Sequence, residues 1–516
     1  MICAMPASDI PFRTLPELIG EHARQRPKHP ALRDEQGALS YVELDGLMDR
    51  IACALQQAGV QPGQAIAICA AASTRYAALF MGALRAGVVV APLAPSSTAD
   101  SLASMLRDAG ARLLFTDAST HDRLPAPDAT LPRIALDGGA TGRAFDDWLA
   151  PEGARPQPVT ITPGAPFNII YSSGTTGTPK GIVQSHGMRW AHIQRGSVYD
   201  YGPQGVTLLA TPLYSNTTLV VFVPTLAYGG CVVLMPKFHA LHYLQLAQQH
   251  RATHTMLVPV QYQRIMALPQ FGQFDLSAFR YKFCTSAPFR AELKSDVLAR
   301  WPGGLVEFYG MTEGGGTCIL DAHAHPDKLH TVGRPAATSD IRLIDEDGHE
   351  VPRGEAGEVV GHSPGMMTGY HGQPEKTRAA EWFDATGKRF IRTGDVGRFD
   401  ADGFLMLIDR RKDMIISGGF NIYPSDIEAA LRQHPAVHEV AVVGVPSKQW
   451  GETPVAFVVP GAGAVATADE LKDWYNQRAG KTQRLADLRL VIELPRSAIG
   501  KVLKRELREA YGNNAP

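Results

Sequence analysis

The feature of this chain that most constrains its fold is a repeated alternation of apolar strand-like and helical runs. Residues 64–71 (QAIAICAA) are typical of a short buried strand, 75–87 (RYAALFMGALRAG) of a buried helix ended by a glycine, and 88–95 (VVVAPLAP) of the next strand. The same order recurs at 205–260. A strand, a covering helix and another strand at this spacing predict a parallel sheet. We therefore predict an α/β fold with two related α/β layers.

Beyond residue 340 the pattern changes. Residues 340–363 (DIRLIDEDGHEVPRGEAGEVVGHS) hold short alternating runs broken by Asp-Gly and Arg-Gly pairs, which is typical of β-hairpins. After Asp409, helical and strand patterns alternate again. We predict a large N-terminal domain over 1–409, whose residues 340–408 form a β-rich, barrel-like subdomain, and a small mobile α+β C-terminal domain over 410–516.

Composition argues against several other classes of protein. The 50 basic and 51 acidic residues nearly cancel, which disfavours a nucleic-acid-binding surface. The six cysteines form no CxxC pair, so we expect no zinc or redox motif, only thiols in a reducing compartment. The start lacks a signal-peptide pattern, and the most apolar stretch, 219–235, is broken by proline and glycine. We expect a cytoplasmic protein with no transmembrane segment, either a monomer or a homodimer.

One loop gives the first chemical signal. Residues 171–181 (YSSGTTGTPKG) follow an apolar run and combine glycines, hydroxyl side chains and a lysine. Backbone N–H groups of a glycine-rich turn can cradle phosphate oxygens, and a lysine adds positive charge. The spacing is not that of a Walker A loop, and the GKT at 480–482 lacks the first glycine of that motif because Tyr475 stands there. On composition alone, a nucleotide phosphate site and an ordinary flexible turn explain the loop equally well.

The order of residues within the loop resembles the signature of the adenylate-forming superfamily. This family comprises acyl- and aryl-CoA synthetases, the adenylation domains of non-ribosomal peptide synthetases, and beetle luciferases. Four further motifs follow in the family's order: YGMTEGG at 309–315, RTGDVGRFDADG at 392–403, DRRKDMIISGGFNIYPSDIE at 409–428 and LPRSAIGKVLKRELR at 494–508. The resemblance covers most of the chain from residue 171 onward, and the first 170 residues match only in general pattern.

The resemblance implies ATP and Mg²⁺ as cofactors. The loop residues that would hold the β- and γ-phosphates are Ser172, Ser173, Gly174, Thr175, Thr176, Gly177 and Lys180. Tyr309 would stack on adenine, Thr312 would donate to the α-phosphate, and Glu313 would ligate Mg²⁺. Asp395 would accept hydrogen bonds from the ribose hydroxyls, with Arg410 beside it.

The resemblance also implies two half-reactions and a mobile C-terminal domain. Lys501 matches the family's catalytic lysine, which bridges the acid and the α-phosphate. The hinge falls at Lys412, where a large change of φ and ψ must be absorbed. The residues that would meet CoA are Ser417, Gly418, Gly419, Phe420, Trp450 and Arg484. Many relatives carry Glu where this chain has Phe420, so the resemblance does not define which side chains line the thiol tunnel.

The acid pocket is the least determined part of the implied site. Its expected wall consists of Trp190, Tyr214, Ser215, Val258, Gln261, Cys284, Ser286, Gly310, Met311, Gly315 and Gly316. Ser215 stands where many relatives have histidine, and the glycines after Glu313 are interpreted as leaving room. Gln261 and Asn216 are the candidates for polar contacts with the acid. A dicarboxylate would need a buried arginine, for which Arg264 and Arg290 are the candidates.

These features together predict an ATP-dependent ligase that joins a carboxylic acid to CoA through an acyl-adenylate. The acid is expected to be a medium-sized hydrophobic or aromatic monocarboxylate, as in fatty or aromatic acid metabolism. An amino acid is disfavoured because the stretch 211–218 (TPLYSNTT) holds no aspartate to pair its ammonium group. The alternatives are an enzyme that loads the acid onto a carrier-protein thiol, and a non-catalytic nucleotide-binding protein. Retention of Lys501, Glu313 and Asp395 argues against the last.

Overall fold

The chain folds into two compact units of unequal size. The computed structural model describes residues 11–120, 123–124, 130–172, 180–410, 413–417, 420–447, 450–480, 483–497 and 500–512. The first unit comprises residues 1–341 and 361–391, and the second comprises 342–360 and 392–516. The prediction of an α/β protein with a large N-terminal and a small C-terminal domain is confirmed.

The helices and strands follow one another in chain order. Up to residue 335 they are α1 (Leu15–Gln25), β1 (Pro30–Arg33), β2 (Ala38–Ser40), α2 (Tyr41–Gln57), β3 (Ala65–Cys69), α3 (Thr74–Arg85), β4 (Val89–Leu93), α4 (Ala99–Ala109), β5 (Leu114–Thr116), β6 (Arg133–Ala135), β7 (Arg143–Ala144), α5 (Phe145–Trp148), β8 (Pro166–Ser172), β9 (Lys180–Ser185), α6 (His186–Gly196), β10 (Val206–Leu209), α7 (Asn216–Ala227), β11 (Cys231–Leu234), α8 (Ala240–Gln249), β12 (His254–Leu257), α9 (Pro259–Met266), β13 (Tyr281–Cys284), α10 (Ala291–Arg300), β14 (Gly304–Met311), β15 (Gly314–Asp321) and β16 (Arg334–Pro335). They continue with β17 (Asp340–Ile344), β18 (Gly357–His362), β19 (Gly369–Tyr370), α11 (Pro374–Ala379), β20 (Glu381–Phe383), β21 (Arg389–Phe399), β22 (Leu405–Arg410), β23 (Ile415–Ser417), β24 (Phe420–Ile422), α12 (Pro424–Leu431), β25 (Val437–Ser447), β26 (Gly451–Pro460), α13 (Ala468–Asn476), β27 (Asp487–Leu490) and α14 (Lys504–Gly512). The boundaries between the two units in the sequence fall within strands β17, β18 and β21.

Two large, mainly parallel sheets form the first unit. The nine-stranded sheet has the order β16-β15-β14-β13-β12-β10-β11-β1-β2, and the eight-stranded sheet has the order β19-β9-β8-β4-β3-β5-β6-β7. The central neighbours are parallel, whereas the hairpins β8–β9 and β14–β15 are antiparallel. The carboxyl ends of parallel strands meet at one edge of a sheet, so the loops that follow them lie side by side.

Local sequence explains the helices that border the candidate site. Helix α6 begins after Ser185, whose side chain accepts from the backbone N–H of Met188 at 3.1 Å. Helix α7 begins after Ser215, whose side chain accepts from the N–H of Thr217 at 3.3 Å. Such caps satisfy N–H groups that have no partner within the helix. The two helices pack together, and their buried apolar side chains join the main core.

The second unit has its own sheet and core. Strands β25 and β26 form a long antiparallel pair, β23 and β27 flank β26, and β24 pairs with β23. Helices α12 and α13 supply Ile427, Leu431 and Leu471 to a core on this sheet. Among the described residues of the whole chain, no helix has both the length and the apolar character needed to cross a bilayer.

Candidate active site

The glycine-rich loop connects the two strands of the β8–β9 hairpin. Ser172 ends β8 and Lys180 begins β9, and the two residues are register partners. Between them, Ser173, Gly174, Thr175, Thr176 and Gly177 lie outside the described residues, as does the side chain of Ser172. Their contact with phosphate therefore stays a prediction.

Thr312 and Glu313 occupy the turn of the β14–β15 hairpin. The turn requires glycine at Gly314, where φ is 79°. A Cβ atom added there would lie 1.9 Å from the carbonyl oxygen of Gly365. The backbone N–H of Met367 also donates to the carbonyl of Glu313 at 2.8 Å. The segment around 365–367 therefore holds the turn that presents Glu313.

Tyr370 connects this turn with the phosphate-loop hairpin, and the sequence did not single it out. Its hydroxyl donates to Oε1 of Glu313 at 3.0 Å, and the Nζ atom of Lys180 lies 5.0 Å from the centroid of its ring. Strand β19 places Tyr370 opposite Ile182 of β9. Burial, reinforced by the Glu313 carboxylate, raises the pKa of Tyr370, so the hydroxyl stays a donor. No local pattern links these residues, because Tyr370 is far from both in sequence.

The Glu313 carboxylate fits a divalent cation. It is half-buried, and within the described ranges its side chain meets the Tyr370 hydroxyl but no basic group. Mg²⁺ prefers carboxylate and phosphate oxygens. Glu313 would hold the ion, which supplies positive charge beside the phosphates. Tyr309 lies nearby on β14, buried and paired with Cys318 of β15.

Most residues predicted to line the acid pocket lie at the carboxyl edge of the nine-stranded sheet. Cys284 ends β13, Gly310 and Met311 end β14, and Val258 follows β12. The remaining members are on α6, before α7, at the start of α9, after β13 and on β15: Trp190, Tyr214, Ser215, Gln261, Ser286, Gly315 and Gly316. The structure thus brings most of them to one edge, although their contact with an acid stays a prediction.

Two polar pocket candidates have defined hydrogen bonds. Ser286 adopts φ 83°, which is strained for a residue with a Cβ atom, and its Oγ lies 2.5 Å from Oγ1 of Thr217. Such strain occurs preferentially at functional sites. Gln261 instead donates to the carbonyl of Ala210 at 3.0 Å and accepts from the N–H of Val258 at 3.1 Å. Both ends of the Gln261 amide are therefore used to hold the start of α9.

The interpretation that the glycines after Glu313 leave room is wrong for Gly315 and Gly316. A Cβ atom at Gly316 would lie 1.8 Å from Cδ1 of Ile341. At Gly315, φ is 79° and a Cβ atom would lie 3.1 Å from the carbonyl oxygen of Gly361. The protein itself fills this space, so these glycines serve packing.

The two arginines proposed for a second substrate charge are exposed, whereas a different arginine is buried. Arg264 and Arg290 are exposed, but Arg189 on α6 is 1% exposed. The sequence pattern does not indicate the burial of Arg189, because a helix as polar as 186–196 normally turns its arginines to solvent.

In the second unit, the two predicted ribose contacts pair with each other. Asp395 on β21 is opposite Arg410 on β22, and Nε of Arg410 lies 3.0 Å from Oδ1 of Asp395. The Asp395 carboxylate is largely buried, and the guanidinium fixes its orientation. The two residues therefore lie together as the resemblance implied.

Hydrogen bonds to described residues hold the backbone of Lys501 in place. The N–H of Ser497 donates to the carbonyl of Lys501 at 2.8 Å, and the N–H of Lys501 donates to the Ser497 hydroxyl at 3.2 Å. Arg496 donates to the carbonyl of Gly500 at 2.9 Å and pairs with Glu439 at 2.8 Å. The exposed Lys501 side chain is thus attached to an anchored backbone.

The predicted CoA contacts are only partly described. Ser417 is buried at the end of β23, Trp450 is 51% exposed, and Arg484 is exposed. Gly418, Gly419, the side chain of Phe420 and the proposed hinge Lys412 lie outside the described residues. The roles of all these residues stay predictions.

Comparison with known proteins identifies the family to which this chain belongs. The model of the AMP-binding enzyme family matches residues 19–371, and that of the AMP-binding enzyme C-terminal domain matches 426–501. A feruloyl-CoA synthase from Amycolatopsis sp is 35% identical over 95% of this chain and 97% of its own. A fatty acid–[acyl-carrier-protein] ligase, ScoC, from Streptomyces coeruleorubidus is 31% identical over 97% of both chains. The crystal structure of ATP-bound MatB from Rhodopseudomonas palustris matches with a TM-score of 0.84 and 29% identity, covering 97% of this chain and 99% of that one.

The chain therefore belongs to the AMP-binding enzyme family, as the five motifs indicated. It is an AMP-forming acid ligase of the acyl-CoA synthetase type, and it uses ATP and Mg²⁺.

Proposed function

We propose that this enzyme activates an aromatic or other medium-sized hydrophobic carboxylic acid and transfers its acyl group to CoA. The substrate carboxylate attacks the α-phosphorus of ATP, the bond to pyrophosphate breaks, and an acyl-adenylate forms. The CoA sulfur then attacks the acyl carbon, and AMP leaves. The general activity follows from the family, whereas the acid and the residue roles are our proposal.

The observation on which this proposal chiefly rests is the convergence of Lys180 and Glu313 on Tyr370. A lysine that follows the phosphate loop and a carboxylate suited to Mg²⁺ are thereby held close together. Negative charge that develops on phosphate during transfer is stabilised by preorganised cations, here the Lys180 ammonium and the Mg²⁺ ion that Glu313 would hold. In our proposal Thr312 donates to the α-phosphate from the same turn.

Residues of the second unit complete the proposed chemistry. Asp395, oriented by Arg410, would accept hydrogen bonds from the ribose hydroxyls. Lys501 would place its ammonium group between the carboxylate and an α-phosphate oxygen, which lowers their mutual repulsion during attack. The hydrogen bonds that hold the backbone at Gly500 and Lys501 support this role, because a fixed backbone reduces the entropy lost in positioning a long side chain.

The choice of acid rests on the pocket wall and on one relative's name. Trp190, Val258 and Cys284 are buried and apolar, and Tyr214 is half-buried. A pocket of this kind favours a ring or short chain over a strongly charged group. The relative named feruloyl-CoA synthase supports an aromatic acid. The five described cysteines are buried free thiols, which supports our placement of the enzyme in the cytoplasm.

A second acceptor is favoured by one specific observation. The relative named as a fatty acid–[acyl-carrier-protein] ligase matches this chain along nearly its whole length. In that case the attacking thiol would belong to the phosphopantetheine of a carrier protein.

The test is pyrophosphate release with ATP, Mg²⁺ and a panel of aromatic and aliphatic acids, each with CoA, with a phosphopantetheinylated carrier protein, or with neither. We expect multiple turnovers and an acyl-CoA product for aromatic acids with CoA. Single-turnover release with CoA, but continued turnover with the carrier protein, would establish the second acceptor. No release with any acid would contradict the proposal.

A further inference from the structure

Among the described residues, the buried guanidinium of Arg189 has no carboxylate partner, and it contacts Asn216, which follows the pocket candidate Ser215. All the N–H groups of Arg189 meet neutral acceptors. Nε and Nη2 donate to Oδ1 of Asn168 at 3.3 and 2.9 Å, Nη2 also donates to Oε1 of Gln184, and Nη1 donates to Oδ1 of Asn216 at 2.8 Å and to Nδ1 of His192 at 3.3 Å. Burial lowers the pKa of Arg189 to about 9, which still leaves it charged at neutral pH.

Burial of the Arg189 cation destabilises the fold. Burying a charge without an opposite charge is strongly unfavourable, and neutral hydrogen bonds offset only part of the cost. His192 adds no charge of its own, because burial, together with Arg195 and Arg189, lowers its pKa well below the usual range and keeps it neutral. The cluster of Arg189, Asn168, Gln184, His192 and Asn216 is therefore positively charged.

Arg189 fixes the orientation of every amide in this cluster. A guanidinium can only donate, so each amide must turn its oxygen towards it. Gln184 then directs its NH₂ group to Oδ1 of Asn216 at 3.3 Å and to the carbonyl of Thr312 at 2.7 Å. Oδ1 of Asn216 receives donors from both Arg189 and Gln184. The Asn216 NH₂ group must consequently point away from the cluster.

Asn216 is the member through which the cluster reaches the proposed pocket. Asn168 and Gln184 are fully buried, whereas Asn216 is half-buried. It follows the pocket candidate Ser215 and precedes Thr217, which is bonded to the strained Ser286. The outward NH₂ group is a donor backed by a positive charge, so it suits an oxygen that accepts a hydrogen bond.

We propose that Arg189 is a positioning residue that directs the Asn216 NH₂ group to an accepting oxygen on the acid. The enzyme therefore prefers acids with a hydroxyl, ether or carbonyl oxygen on the ring to equally large hydrocarbon acids. This inference rests on the proposed activation of an aromatic acid, and it assigns the polar part of that substrate.

The experiment compares acids of matched shape. The pairs are 4-hydroxy- with 4-methylcinnamate, 4-methoxy- with 4-ethylcinnamate, and the corresponding 3-substituted acids. Pyrophosphate release gives kcat/KM for each. For at least one pair, wild type is expected to prefer the oxygen-bearing acid by about tenfold, the value of one good hydrogen bond.

Two substitutions at one position make the result specific. Asn216→Leu removes the amide at similar volume, and Asn216→Asp keeps the shape, removes the donor and gives Arg189 an anionic partner. Asn216→Leu should bring the preference to about one in every pair, since the donor is lost. Asn216→Asp should do so in the methoxy pairs, because an ether oxygen, unlike a ring hydroxyl, cannot donate to a carboxylate, and this variant should also raise Tm. Arg189→Met should reduce the preference although Asn216 remains. Asn476→Asp is the matched control, because Asn476 lies in the second unit and, in the part of the chain that the structure describes, bonds only the backbone of Leu485.

The proposal is overturned if wild type shows no preference for the oxygen-bearing acid in any pair, if Asn216→Leu keeps that preference, or if Asn216→Asp keeps it in a methoxy pair. It is also overturned if Arg189→Met or Asn216→Leu lowers kcat/KM equally for both acids of a pair, since an unchanged ratio indicates a structural role alone. Wild-type rates test the proposed function, whereas the change of ratio on substitution tests Arg189, so the two can fail separately.

Discussion

Replacing Tyr370 by phenylalanine removes one hydrogen bond from the proposed metal ligand and leaves the rest of the site in place. The lost bond joins the Tyr370 hydroxyl to Oε1 of Glu313 at 3.0 Å. The ring that contacts Lys180 at 5.0 Å remains. Any change in activity should therefore come from the orientation of the carboxylate.

The expected size of the effect follows from this contact. A hydrogen bond to a charged group contributes about 1.5–3 kcal/mol. Glu313 is half-buried, so water can replace part of the lost bond, and we take the lower end of that range. This corresponds to about a tenfold rise in the Mg²⁺ concentration needed for half-maximal activity, in line with the effects known for residues that orient metal ligands.

The assay is pyrophosphate release against Mg²⁺ concentration, with the binding of ATP measured separately by calorimetry at each Mg²⁺ level. The control is Tyr41→Phe, which also removes a buried hydroxyl, one that donates to Gly230 at 2.8 Å, in another part of the first unit. The control should lower stability without moving the Mg²⁺ dependence. Equal Mg²⁺ dependence of Tyr370→Phe and wild type would refute the reasoning.

Four further predictions concern catalysis and stability. Lys501→Ala should abolish acyl-adenylate formation yet spare thioester formation from synthetic acyl-adenylate; equal loss of both would show a different role. Lys412→Pro should impair one half-reaction more than the other, because proline fixes φ at the proposed hinge; separate assays of the two half-reactions decide. Lys294→Met should lower the free energy of unfolding by about 3–5 kcal/mol, since it leaves Glu307 unpaired in the core; urea titration measures this, and a loss below 1 kcal/mol would contradict it. Burial lowers the pKa of His254 from 6.5 to about 4, so stability of about 3 kcal/mol, present above pH 6.5, should be lost as pH falls towards 4, and His254→Gln should flatten that part of the profile.

The sequence could predict the parts of this protein that local pattern determines. Alternating apolar runs indicated two α/β layers, and the structure has two large, mainly parallel sheets. The motif residues Asp395 and Arg410 were expected together, and they pair across β21 and β22. In each case, short-range periodicity or a motif fixed the geometry.

The remaining features depend on contacts between distant segments. Tyr370 meets Glu313 only because β19 pairs with β9, and nothing near residue 370 indicates that pairing. The environment of Arg189 needs residues 168, 184 and 216 from separate elements. The expectation that Gly316 leaves room for the acid is wrong because Ile341 packs against it, and the sequence pattern does not show that contact. A side chain's surroundings are a property of tertiary packing, so pattern alone could not find them.

The most direct test of the acyl-adenylate route follows the two carboxylate oxygen atoms of the acid. The acid preferred by the enzyme is labelled with ¹⁸O in both carboxylate positions and converted with ATP and CoA, and the products are analysed by mass spectrometry. Attack of the carboxylate on the α-phosphorus followed by thiol attack on the acyl carbon predicts one ¹⁸O atom in AMP and one in the acyl-CoA. Label in pyrophosphate or phosphate, or AMP without label, would contradict an acyl-adenylate route.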